Sequence, residues 1–91
     1  VAVCGGAGDS LVGAALGAGA DCYVTGDLRH HVALDALTMG MALIDAGHYA
    51  TEAAALPHLR ATLAEAASRH GLSARLVASE VRTEPWSDWR A

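Results

Sequence analysis

Apolar residues gather in four short runs along the chain: VAVC (1–4), DCYVT (21–25), MALID (41–45) and ARLVASEV (74–81). Runs of this length that are mostly apolar, without a regular polar alternation, suit strands of a parallel sheet covered on both faces. Residues 10–19 hold leucine, valine and alanine without proline, and Asp9 or Ser10 can serve as N-cap, so a helix is predicted there. Val32, Ala33, Ala36 and Leu37 recur at helical spacing over 30–38, and Gly40 closes that helix. From about residue 48 to 70 a further helical stretch carries Leu56, Leu59, Leu63, Ala66 and Ala67 as an expected buried stripe, ending at Gly71. Pro57 interrupts it, because proline inside a helix removes a hydrogen bond and crowds the preceding turn. Either a kink or a short turn over 48–55 followed by a main helix is predicted.

The order is therefore β-α-β-α-β-α-β, an α/β class with a largely parallel sheet and helices on both faces. Ninety-one residues close only one small core, so a single α/β domain over 1–91 is expected, with 83–91 (TEPWSDWRA) as a peripheral tail. Three β-to-α turns, at 5–9, 25–31 and 45–48, would lie together at the carboxyl edge of the sheet, where ligands usually bind in open parallel sheets.

Charge and cysteine content narrow the function classes. Six Lys plus Arg against ten Asp plus Glu, with no basic run, argue against binding a nucleic-acid backbone. Cys4 and Cys22 form no Cys-x-x-Cys spacing and read as buried free thiols, which suits a reducing cytosol and a cytoplasmic protein. Every apolar run is broken well short of the roughly 18 residues that a membrane span needs, so no membrane association is expected. The first residue is Val1, already inside a predicted strand, and the chain reads as a fragment of a larger two-part α/β protein.

Candidate chemistry concentrates on the turns. His48 and Glu52, in IDAGHYATE (44–52), stand four apart at a helix start, so their side chains share a face and can converge on one ion. The same spacing also serves as a weak polar pair on an exposed helix. Asp45 can be a further ligand, an acceptor that orients His48, or a helix cap. His30 and His31 point about 100° apart on a helix, so one at most faces a site. His58 and His70 read as surface residues. GGAGDS (5–10) lacks both the Gly-Lys-Ser/Thr of a P-loop and the third glycine of the dinucleotide fingerprint. Tight packing of that turn, or anion binding by its amides in a nucleotide-binding module, are the two readings.

Four ordered blocks, VAVCGGAGDS, GADCYVTGDLRHH, ALDALTMGMALIDAGHYATE and TEPW, span nearly the whole chain. In them the chain resembles the C-terminal part of the dinuclear metal centre hexameric proteins, the NGG-one interacting factor three-like family, often labelled GTP cyclohydrolase I type two homologues. The resemblance implies two divalent metal ions (zinc, manganese or iron) per full-length subunit, with His48 and Glu52 as the ligands this half contributes. It implies a pocket role for His31, taken as the candidate catalytic residue, and places His30 at a usually aromatic position. The other ligands, a His pair and an Asp, belong to an N-terminal half that this chain does not contain. A metal-dependent hydrolase acting on a nucleotide or another phosphate-containing small molecule, and a non-catalytic metal-binding scaffold or regulatory homo-oligomer (a hexamer), are the implied functions. Alone, the chain is expected to be inactive and to bind transition metals weakly.

Overall fold

In the computed structural model, which describes residues 1–87, three of the four apolar runs become strands: β1 (Ala2–Ala7), β2 (Cys22–Gly26) and β3 (Ala42–Asp45). They pair in parallel and in chain order. A 3-10 turn (Asp9–Leu11) and α1 (Val12–Gly17) connect the first two strands, and α2 (His30–Thr38) connects the second to the third. Two helices follow, α3 (His48–Ala53) and α4 (Leu56–Arg69). Contacts divide the chain into two units, Val1–Glu52 and the residues from Ala53 onward.

The α/β class and the parallel sheet agree with the sequence pattern, and the two crossover helices of the first unit share one core. A sheet extended in one direction by successive right-handed crossovers carries its crossover helices on one face. Val12 and Ala15 of α1 and Ala36 of α2 accordingly join Tyr23 and Met41 in one core, with Ala2, Cys4 and Leu43 packed against it. Successive side chains alternate across a strand. Val3 and Ile44 therefore face the other way, and they are 76% and 51% exposed. Cys4 and Cys22 are free and only half-buried.

The fourth run forms no strand among the described residues, since 73–87 carries no regular element. Its composition suits a strand, yet a strand exists only when a neighbour completes its hydrogen bonds. Val77 and Val81 are instead exposed. The expected stripe on α4 also lies open: no residue of that helix is buried, and Leu56, Leu59 and Leu63 are each about half exposed. Periodicity states which residues share a helix face, not that anything covers it.

Pro57 resolves in favour of two helices. α3 ends at Ala53, and Pro57 falls in the first turn of α4, where the N–H it lacks has no helical partner to lose. Of the expected tail, Trp86 is exposed, and 88–91 lie outside the described residues. Among the described residues no helix is long and apolar enough to cross a membrane.

Candidate metal centre

The three β-to-α turns meet at the carboxyl edge of the sheet because the register of β2 and β3 pairs Thr25 with Asp45. Asp45 then ties two turns with its two oxygens. One accepts from the Gly47 amide and the other from the Leu28 amide, each at 3.0 Å. The Ala46 amide donates to the Thr25 carbonyl at 2.8 Å, fixing the start of the third turn against the end of β2. Asp45 thus links backbone amides and does not orient His48, as the sequence allowed.

The glycine turn after β1 is not a turn in the expected sense. β1 runs on through it to Ala7, and four residues from Val3 to Ala7 advance opposite only two, Val24 to Gly26. Gly6 makes this irregularity at φ +72°, a region glycine enters without steric cost. The Gly6 amide donates to Thr51 Oγ1 at 2.9 Å, the Gly6 carbonyl accepts from Thr25 Oγ1 at 3.1 Å, and Tyr23 OH donates to the Gly8 carbonyl at 2.8 Å. GGAGDS is therefore a packed segment, and the Gly6 amide is already committed within the protein. Asp9 and Ser10 make no capping bond; the Asp9 carboxylate pairs with Arg29 across to the second turn.

This frame presents α3. Thr51 Oγ1 donates back to the helix at the Gly47 carbonyl while accepting from Gly6. Either side of Thr51 along the helix stand His48 and Glu52. His48 Nε2 lies 3.3 Å from Glu52 Oε1, and on the far side of the ring Nδ1 donates to Asp27 Oδ2 at 2.6 Å. Asp27, which the sequence reading did not select, sits at φ +52°, a conformation that aspartate tolerates better than most side chains.

The hydrogen bond that His48 donates to Asp27 raises the His48 pKa above its ordinary 6.5; the imidazole's slight desolvation opposes this and the Glu52 charge adds to it. A raised histidine pKa means that the folded state holds its proton more tightly than the unfolded chain. The contribution of the charged imidazole is fully present below 6.5 and is lost as the pH rises through the raised value. In metal-free protein the melting-temperature advantage of wild type over His48→Gln should therefore decline with rising pH across that window. An advantage that grows with pH would contradict the assignment.

Two ligands on a tetrahedral ion with bonds of about 2.0–2.2 Å stand a little over 3 Å apart, and His48 Nε2 and Glu52 Oε1 match this at 3.3 Å. Carboxylate support at the other ring nitrogen is the usual companion of a metal-binding histidine. A Cβ added to Gly6 would come within 2.6 Å of Glu52 Oε1 and 3.3 Å of His48 Nε2, so the glycine keeps that space open. The donor chemistry fits a divalent ion, and the number of donors falls short. Among the described residues no group of three or more His, Cys, Asp or Glu is arranged to hold a metal.

His30 and His31 occupy the first turn of α2, both exposed. The imidazole partners at the pair are Asp27 and Glu52, and His31 is not one of them. His58 and His70 are exposed, as read from the sequence.

Comparison with known proteins agrees with this frame. The family model Duf34/NIF3 (NGG1p interacting factor 3) matches residues 1–85. A Streptomyces coelicolor protein named GTP cyclohydrolase 1 type 2 homolog is 43% identical over 88 residues, covering 96% of this chain and 31% of its own length. A Mycobacterium tuberculosis protein of the same name is 40% identical over 88 residues, covering 96% of this chain and 22% of its own. Among solved structures, a Bacillus cereus protein related to NIF3 superposes with a TM-score of 0.82 at 34% identity, over 96% of this chain and 24% of that one. The chain thus spans under a third of the relatives it matches, and it belongs to the Duf34/NIF3 family.

Proposed function

We propose that this chain supplies His48 and Glu52 to a divalent-metal centre in a hydrolase-like protein of the kind its relatives' name, GTP cyclohydrolase 1 type 2 homolog, describes. The observation that carries the reading is the 3.3 Å approach of His48 Nε2 to Glu52 Oε1 beside the Gly6 space. Zinc, manganese or iron suits an imidazole-carboxylate set. Two ions per full-length subunit, with the remaining ligands from outside these residues, complete the centre in this reading. When bound, such ions supply an activated water and a positive clamp for phosphate oxygens. The protein's own part is to hold the ligands on α3, keep the Gly6 side clear, and offer His31 for proton transfer to a nucleotide or other phosphate-containing substrate. A homo-oligomer, hexameric in this reading, in the reducing cytoplasm would accommodate the free thiols.

Titration of the intact protein with zinc or manganese tests the proposal. Two tight ions per subunit are expected, reduced to one or none in Glu52→Ala, with nucleotide turnover abolished by the same substitution. Metal binding that Glu52→Ala leaves untouched would overturn it. Loss of metal binding in Glu52→Ala with the same background turnover in both proteins would favour a scaffold over an enzyme. The 91-residue chain alone should bind either metal weakly, because two donors cannot satisfy an ion that takes four or more. Tight binding of two ions by that chain would contradict the division of ligands proposed.

A further inference from the structure

We propose that Asp27 is the positioning residue of this centre, holding His48 in the one tautomer and ring orientation that can ligate. The inference rests on the metal reading above and adds a residue from a different element. Asp27 follows the end of β2, while His48 opens α3. The Thr25–Asp45 register brings those two turns side by side. Both flanking carboxylates can only accept, and the 2.6 Å approach of Asp27 is much closer than the 3.3 Å of Glu52, so the single proton of a neutral imidazole is held on Nδ1. The lone pair then lies on Nε2, the nitrogen that faces Glu52 at 3.3 Å. The opposite tautomer would place a proton between the two donors.

Two further features hold Asp27 to this task. Its backbone is in the left-handed region at φ +52°, directly after Gly26, whose own position leaves no room for a Cβ beside the His48 backbone. Asp45, a neighbouring carboxylate at this edge, has its oxygens on the Leu28 and Gly47 amides. The Leu28 bond anchors the residue next to Asp27, so Asp45 fixes the turn and leaves the imidazole to Asp27.

Asp27→Gly and Asp27→Asn in the intact protein separate orientation from backbone strain. Glycine accepts a positive φ freely but removes the carboxylate, and asparagine tolerates the same backbone while keeping an oxygen that can accept. In metal-free wild type, 15N spectra of the His48 ring, taken well above its titration, should show the proton on Nδ1. Asp27→Gly should give a mixture of tautomers and zinc affinity lower by about 10–100-fold, the usual loss when such a support is removed. Asp27→Asn should restore both to within a few-fold. An unchanged tautomer, or unchanged zinc affinity, in an Asp27→Gly protein that still folds would overturn the proposal. The metal-free spectrum stands independently of the metal reading, which instead fails if Glu52→Ala binds zinc like wild type.

Discussion

Alanine at position 26 should cost the fold about 3 kcal/mol or more, the upper end of what overpacking costs. A Cβ there would lie 2.6 Å from the His48 amide nitrogen, 2.8 Å from the Gly47 carbonyl carbon and 2.9 Å from His48 Cα. All three are backbone atoms, so no rotamer change relieves the clash. The third turn would have to move, and it is held by the Ala46 bond to the Thr25 carbonyl and by both oxygens of Asp45. Urea unfolding reads the effect directly. Gly13, inside α1 with nothing within 4 Å of an added Cβ, provides the contrast: Gly13→Ala should stabilise by about 0.4–1 kcal/mol through the less flexible unfolded chain. A Gly26→Ala loss no larger than about 1 kcal/mol would show that the turn is looser than its hydrogen bonds imply.

Gly6→Ala should behave differently, losing metal affinity out of proportion to stability. Its φ of +72° puts a side chain in the left-handed region at a cost of about 1–2 kcal/mol. The added methyl would also come within 2.6 Å of Glu52 Oε1. That oxygen ends a flexible side chain that is 61% exposed, so it swings aside with little further loss of stability. Swinging aside separates it from His48 Nε2. Zinc affinity in the intact protein is expected to fall by about 100-fold or more, beyond the range seen when only a supporting contact is removed. Calorimetry on folded Gly6→Ala protein checks this, and wild-type affinity there would exclude the space beside Gly6 from the metal site.

What could be read from the sequence divides along a physical line. Local patterns were legible: α2 begins and ends where its periodicity and Gly40 placed it, and β2 and β3 fall within a residue of their apolar runs. His48 and Glu52 come together because four residues make about one helical turn, a relation that needs no tertiary knowledge. Partners set by register were not legible. No period links Asp27 to His48; only the pairing of Thr25 with Asp45 does. The one local signal was an aspartate directly after a strand-ending glycine, in a position that takes positive φ. Burial failed for a related reason. The stripe on α4 and the run 74–81 have the composition of covered elements, but cover is a property of neighbours. The glycines of β1 have the local signature of a stop and serve as an irregularity within a strand, which needs the partner strand's register to recognise.

The sheet order β1-β2-β3 has a consequence for synthesis. Each strand pairs with the one made just before it, so the first unit can assemble in step with its emergence from the ribosome, without waiting for a distant segment. His48 and Glu52 leave last in that unit, after β3. By then the Gly6 bend and the Asp27 carboxylate have already emerged, and the ligand pair is delivered onto a platform built before it.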